Sequence, residues 1–78
     1  MEEISERDIR KIMGEAWGIS PDKIPPEAGF NDIVQWDSIG HVSLLIALEK
    51  KYNIKIDFKT LTKLVSISAI IEYIKDKV

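Results

Sequence analysis

The sequence predicts an all-α fold, a small four-helix bundle with three longer helices, one short third helix and a long loop between the first two helices. Apolar residues recur at helical spacing in three separate segments. Prolines and glycines interrupt this pattern between residues 18 and 36. The 78 residues contain no cysteine, so we expect helix packing alone to stabilise one domain, residues 1–78.

The first helix is predicted over Glu6–Trp17. Ser5 and Asp8 have the spacing of a capping box, and Gly18 is typical of a C-cap. The apolar stripe of this helix comprises Ile9, Ile12, Met13, Ala16 and Trp17. The loop that follows, residues 18–36, is expected to turn after Ser20. Its predicted apolar anchors are Ile19, Ile24, Phe30, Ile33 and Val34.

The second helix is predicted over Ser38–Tyr52, with Asn53 closing it. At 100° per residue, its broad apolar arc contains Ile39, Val42, Leu45, Ile46, Leu48 and Tyr52, with Leu44 at the margin. The opposite side is predicted to carry Gly40, Ser43, Lys50 and Lys51. Glu49 falls inside the apolar arc, so we expect its carboxylate to have a hydrogen-bond partner or a path to solvent.

The last part of the chain predicts two further helices. Asp57 is expected to cap a short third helix, residues 58–63, with Phe58 and Leu61 facing inward. The alternating residues 54–57 are too few for a strand without a partner. Ser66 is expected to cap the fourth helix, whose apolar residues are Ile67, Ile70, Ile71, Ile74 and Val78. Lys75 and Lys77 lie near its C-terminus, where the helix dipole favours cations.

Charge and composition exclude several classes of function. The chain has 13 acidic and 11 basic residues and a net charge of −2, which argues against a nucleic-acid-binding face. Its longest apolar run, residues 44–48, is too short to span a bilayer, and the first residues do not have the pattern of a signal peptide. We therefore expect a cytoplasmic protein without membrane insertion. One histidine and no cysteine predict no metal site.

Ser38 is the candidate functional residue. It lies at the predicted start of the second helix, where unpaired N–H groups and the helix dipole favour a phosphate, so its hydroxyl suits a phosphodiester. The alternative is that Asp37 or Ser38 is only an N-cap. His41 follows three residues later and is predicted on the surface beside Ser38. Catalysis by this pair would also need an orienting group and an oxyanion site, and no G-x-S-x-G motif is present. We therefore expect no catalytic residues.

Two tryptophans accompany this segment. Trp17 belongs to the predicted core stripe of the first helix. Trp36 is expected either to pack under the loop or to flank the serine.

Several motifs make the chain resemble the acyl carrier protein family over nearly its whole length. They are Phe30 in the loop, Asp37-Ser38-Ile39, Ala47-Leu48-Glu49 followed by Tyr52, and Ile71-Glu72-Tyr73-Ile74. The resemblance implies a carrier rather than an enzyme. A phosphopantetheinyl transferase would move 4′-phosphopantetheine from coenzyme A to Ser38, with Asp37 serving transferase recognition or the N-cap.

The resemblance also implies partners. They are an acyl- or aminoacyl-activating ligase and downstream synthase or transferase enzymes, and the carrier is expected to be a monomer. The partner-docking residues would be Ile39, His41 and Val42.

The sequence departs from the fatty-acid carriers of this family. Those carriers resemble one another in a strongly acidic second helix, which basic patches of partner enzymes recognise. Here Gly40, His41 and Ser43 follow the serine, and Lys50 and Lys51 follow Glu49. We therefore expect a free-standing carrier of a dedicated pathway, such as secondary metabolism or surface-glycan modification.

Two alternatives stay open. The chain could be an aminoacyl or peptidyl carrier loaded by an adenylating ligase, although Trp36-Asp37 replaces the glycine pair that usually precedes the serine in peptidyl carriers. It could also be an unmodified helical protein-interaction module.

Overall fold

Four helices make up the computed structural model, which describes residues 4–77. They are α1 (Glu6–Trp17), α2 (Ser38–Tyr52), α3 (Phe58–Leu61) and α4 (Ile67–Lys77). A 3₁₀ turn at Pro21–Lys23 lies in the long loop, and α1 packs against α2 and α4. No strand forms within residues 4–77, so the predicted all-α bundle is confirmed. No helix in that range is long and apolar enough to cross a membrane.

Short-range hydrogen bonds fix the helix ends. The Ser5 hydroxyl accepts from the Asp8 N–H at 3.4 Å, and the Asp8 carboxylate accepts from the Ser5 N–H at 3.0 Å, which forms the predicted capping box. Gly18 closes α1 with a φ of 71°, and Asn53 closes α2 with a φ of 54°; both backbones are left-handed, as glycine and asparagine tolerate. The Ser66 hydroxyl caps α4 by accepting from the Ala69 N–H at 3.1 Å.

The third helix differs from the prediction at its end, whereas the described part of the fourth agrees with it. α3 ends at Leu61, two residues earlier than expected, because the chain turns at Thr62 and Lys63. Lys75 and Lys77 lie in the last turn of α4 as predicted. The predicted apolar residue Val78 lies outside the described residues.

The core draws on the three longer helices and the loop. Its fully buried side chains are Ile9, Met13, Ile24, Trp36, Leu44, Leu48, Ile67, Ile70 and Ile74. Ile24 is therefore a loop anchor as predicted, and Ile19, Phe30 and Ile33 pack against the core. The prediction was wrong for Val34, which is 87% exposed. Its position explains this, because the Trp36 N–H bonds the Ile33 carbonyl at 3.1 Å and leaves Val34 at the tip of a turn.

The helical face predicted for α2 was also wrong in part. Its buried residues are Gly40, His41, Leu44, Leu45 and Leu48. Three members of the predicted apolar arc face solvent instead, namely Ile39, Val42 and Ile46. This helix is apolar on both sides, so periodicity alone does not determine which side meets the core.

The prediction was also wrong for Phe58 in α3. It was expected inward with Leu61, but it is 81% exposed, whereas Leu61 packs against the core.

Backbone bonds connect the loop to α4. The Phe30 N–H donates to the Val65 carbonyl at 2.8 Å, and the Ile67 N–H donates to the Ala28 carbonyl at 3.3 Å. They flank an isolated antiparallel bridge between Gly29 and Ser66. The middle of the loop is thereby held against the segment that enters α4.

The expectation for Glu49 is confirmed. Its carboxylate accepts from the Ile56 N–H at 2.7 Å, and this bond connects the end of α2 to the segment that leads into α3. The N–H of Ile56 thus gains a charged acceptor where no strand partner exists.

Candidate functional site

Ser38 is the first residue of α2, and its side chain is exposed. The N-cap is Asp37, whose carboxylate accepts from the Gly40 N–H at 2.8 Å. The backbone carbonyl of Asp37 accepts from the His41 N–H, also at 2.8 Å. The structure therefore decides between the two predicted N-cap candidates, since Asp37 performs the capping. The Ser38 hydroxyl has no hydrogen-bond partner within residues 4–77.

The first turn of α2 also provides backbone donors. The N–H groups of Ser38 and Ile39 have no acceptor among the described residues, as expected for the first positions of a helix. Both lie at the positive end of a 15-residue helix. A phosphate bonded to the Ser38 oxygen would therefore lie where unpaired donors and the helix dipole stabilise its charge.

His41 is buried behind this turn, with only 4% of its surface exposed. Its ring lies between two partners: the Trp36 indole N–H donates to its Nδ1 at 3.0 Å, and its Nε2 lies 2.8 Å from the Leu61 carbonyl oxygen. An indole nitrogen can only donate and a carbonyl can only accept. Nδ1 is therefore the bare nitrogen, and Nε2 carries the proton that bonds Leu61.

The prediction of His41 as a surface residue was therefore wrong. Sequence reasoning missed that two polar partners would satisfy the ring in the core, one of them a backbone carbonyl 20 residues away. A ring with 4% of its surface exposed offers little contact area to a partner protein. Both ring nitrogens have hydrogen-bond partners, so His41 also cannot act as the base for Ser38. The geometry therefore does not support a catalytic pair of Ser38 and His41.

The tryptophans lie next to this ring. Trp36 is fully buried, so it packs under the loop rather than flanking the serine, and its ring centroid lies 5.8 Å from that of Trp17. The Trp17 indole N–H donates to the Gly40 carbonyl at 2.8 Å. α1 thereby holds the first turn of α2 from behind.

Gly40 makes this close packing possible. A Cβ atom at Gly40 would collide with the Gln35 carbonyl oxygen and approach the Trp17 indole nitrogen to 3.2 Å. Sequence reasoning placed Gly40 on the solvent side. The available signal was the glycine itself, which disfavours a helix and often marks close backbone approach.

An apolar groove opens beside Ser38. Its volume is about 300 Å³, and it is lined by Phe30, Ser38, His41, Val42, Leu61, Thr62 and Val65. The loop, the start of α2 and the segment after α3 therefore meet next to the serine hydroxyl. The groove offers apolar contact to a flexible group that begins at that hydroxyl.

Fold and site together define a small helical domain that presents one exposed serine at a helix start beside an apolar groove, an arrangement suited to carrying a covalently attached group. Residues 7–74 match the family model described as the phosphopantetheine attachment site. The chain is 30% identical over 76 residues to an acyl carrier protein of Thermosynechococcus vestitus, which covers 97% of this chain and 93% of that protein. It is 33% identical over 72 residues to an acyl carrier protein of Nitratidesulfovibrio vulgaris strain Miyazaki F, covering 92% and 95%. It is also 33% identical over 69 residues to an acyl carrier protein of Helicobacter pylori, covering 88% of each.

The chain belongs to the acyl carrier protein family, so the predicted resemblance is confirmed. Members of this family are carriers without catalytic activity of their own, and they bear a 4′-phosphopantetheine group. The residues at the start of α2 fit that group, because an exposed hydroxyl, two unpaired N–H groups and an apolar groove lie together there. The family also implies interaction with a phosphopantetheinyl transferase and with acyl-handling enzymes.

Proposed function

We propose that Ser38 is the attachment residue and that the modified chain carries acyl groups for the enzymes of a dedicated biosynthetic pathway. The observation that carries the proposal is the position of the Ser38 hydroxyl. It is exposed, it is not used for capping, and it lies at the N-terminus of α2 beside the apolar groove.

The residues around Ser38 have separate tasks in this proposal. In the transfer, the Ser38 oxygen forms a new bond to the phosphorus that carries the pantetheine in coenzyme A. The hydroxyl proton and the nucleotide part of coenzyme A leave. Ser38 and Ile39 then offer their N–H groups to the phosphodiester, while Asp37 keeps the helix start in place. The attached arm supplies the thiol that holds an acyl group as a thioester, which this chain without cysteine cannot supply itself.

The surface of α2 supports a dedicated pathway rather than fatty-acid synthesis. The only carboxylate within α2 is Glu49, and it already accepts from the Ile56 N–H. The acidic face that fatty-acid enzymes recognise electrostatically is therefore missing. Inefficient use of the loaded carrier by a complete fatty-acid elongation system is the expected result, and efficient use would contradict this part of the proposal.

The remaining parts of the proposal concern cargo and assembly. An acyl-activating ligase is the proposed loading partner, with synthase or transferase enzymes downstream; an aminoacyl cargo is the second candidate. A panel of acyl- and aminoacyl-activating ligases, with the mass of the loaded carrier as readout, separates these two cargoes.

The match over residues 7–74 supports one carrier domain in residues 1–78. We propose that this domain works as a monomer in the cytoplasm.

The attachment is tested by intact mass. Wild type, Ser38→Ala and the control Ser68→Ala are incubated with coenzyme A and a broad-specificity phosphopantetheinyl transferase. Ser68 is also an exposed serine, but it lies in α4. We expect wild type and the control to gain the mass of one phosphopantetheine and Ser38→Ala to gain none. If folded wild type gained nothing, an unmodified interaction module would be the better interpretation.

A further inference from the structure

The outward face of α2 is apolar and begins next to Ser38. Ile39, Val42 and Ile46 are 79%, 47% and 48% exposed. Lys50 was predicted on the opposite side, but a turn of 100° per residue places all four residues within about 80° of one another, on the side away from Leu44 and Leu48. We call these four residues the outer face of α2. Val42 also lines the groove beside Ser38, so the outer face and the attachment site form one continuous surface.

The chain segment that contains this face is basic. Residues 37–65 contain five lysines, all exposed, and three carboxylates. Each carboxylate accepts from a backbone donor: Asp37 from the Gly40 N–H at 2.8 Å, and Glu49 and Asp57 from the Ile56 and Thr60 N–H groups, each at 2.7 Å. Residues 1–36, in contrast, contain eight carboxylates and four lysines or arginines. The net charge of −2 therefore conceals a basic segment around the site.

Two of these lysines are close in sequence to residues that line the groove. Lys59 lies in α3, and Lys63 lies between Thr62 and Val65, two of the residues that line the groove. Lys50 extends the outer face at its far end. An enzyme that approaches Ser38 thus meets the apolar side chains of the outer face, with the exposed Lys50 at the end of the same face.

We propose that the enzymes that act on this carrier dock on the outer face of α2 through an apolar centre with carboxylates at its rim. The inference rests on the proposed function, because any enzyme that acts on Ser38 or on its attached arm must contact the surface around that residue. The apolar residues supply affinity, and the lysines select acidic partners and repel basic ones. The charge of this docking surface is opposite in sign to that of carriers with an acidic second helix.

The test uses a malonyl transferase of fatty-acid synthesis with a lysine- and arginine-rich docking patch, in two forms. One form is wild type, and in the other the basic residues of the patch are changed to glutamate. The acceptors are the modified carrier and its variant Lys50→Glu/Lys59→Glu/Lys63→Glu. A control variant, Lys11→Glu/Lys23→Glu/Lys75→Glu, has the same net charge but changes exposed lysines outside residues 37–65. Each carrier is first shown by mass to be fully modified, so failure of attachment and failure of docking are distinct results.

We expect the wild-type carrier to be a poor acceptor for the basic transferase at low salt. The triple variant at positions 50, 59 and 63 should raise kcat/KM about tenfold, and the control variant should change it less than about twofold. Added salt should reduce this difference, because screening weakens exposed charge interactions. The transferase with glutamates in its patch should have a higher kcat/KM with the wild-type carrier than with the triple variant. Its activity with free pantetheine as acceptor is the control that this altered enzyme remains active.

Two results would overturn the inference. One is equal kcat/KM for both triple variants with either form of the transferase. The other is that the outer face binds a second copy of the chain or anionic phosphatidylserine vesicles through Lys50, without any effect of the lysine changes on transfer. Ile46→Gln probes the apolar centre, and we expect it to lower kcat/KM severalfold at low and high salt alike. No loss at either salt concentration would remove the apolar part of the proposal.

Discussion

Replacing His41 by leucine tests the polar contacts behind the first turn of α2. The variant keeps an apolar side chain in the core, but it removes the acceptor of the Trp36 indole N–H and the donor to the Leu61 carbonyl. The Trp36 side chain is fully buried, so its N–H cannot turn to water. The Leu61 carbonyl belongs to a half-buried residue near the groove and can accept from water instead.

The expected loss follows from these two groups. A buried donor without a partner costs about 1–3 kcal/mol, and a lost hydrogen bond at a half-buried carbonyl costs about 1 kcal/mol. Together they lower the free energy of unfolding by about 2–4 kcal/mol. For a domain of this size, this corresponds to a fall in Tm of roughly 10–30 °C.

The assay is urea unfolding followed by circular dichroism, applied as a double-mutant cycle with Trp36→Phe. Trp36→Phe removes the indole donor, so His41→Leu should cost about 1–2 kcal/mol less in that background. Val42→Leu is the control, because Val42 is half exposed and should change stability by less than about 0.5 kcal/mol. A loss below about 0.5 kcal/mol for His41→Leu, or strict additivity with Trp36→Phe, would refute the argument.

Three further predictions concern the helix starts. Asp37→Ala should lower the free energy of unfolding by about 0.5–2 kcal/mol because it removes the N-cap, whereas Asp37→Asn should unfold like wild type. If the stable Asp37→Asn variant gains phosphopantetheine slowly in the mass assay, the transferase recognises the charge of Asp37. Gly40→Ala should destabilise by about 1–3 kcal/mol in urea, since its methyl group would collide with the Gln35 carbonyl, and a neutral result would contradict the close packing. The Thr60 N–H bond holds the pKa of the Asp57 carboxyl below its usual value of 3.8. Its contribution to stability is therefore present above that value and is lost as pH falls through the lower pKa of the folded chain. The stability difference between wild type and Asp57→Asn should shrink over this acid range in urea titrations, and a constant difference would exclude the linkage.

Local sequence signals predicted the helix starts well. Ser5 with Asp8, Asp57, and Ser66 act within three residues along the chain, so their hydrogen bonds need no knowledge of the tertiary fold. The same holds for Asn53, whose left-handed backbone ends α2. The exposed serine at the start of that helix could be predicted for the same reason, and its family motifs gave the class of protein.

The environment of the site depended on contacts that are remote in sequence. Gly40 and His41 are buried because Trp17 and Leu61 meet them from positions 23 and 20 residues away. The local sequence shows a histidine near apolar residues, but it does not show that both ring nitrogens have hydrogen-bond partners. The apolar arc was misplaced for a related reason, since Ile39 and Leu44 are equally apolar and only packing distinguishes them.

The separation of capping from attachment has a thermodynamic consequence. Because Asp37 holds the helix start, the Ser38 hydroxyl that we propose as the attachment point supports no bond of the fold. Modification would therefore break no bond of the fold, and the phosphate charge at the start of α2 should add to stability. The unmodified chain should reach its native structure before it meets any transferase. Loading and removal of the group can alternate without passing through a less stable protein, so one chain can serve many reaction cycles.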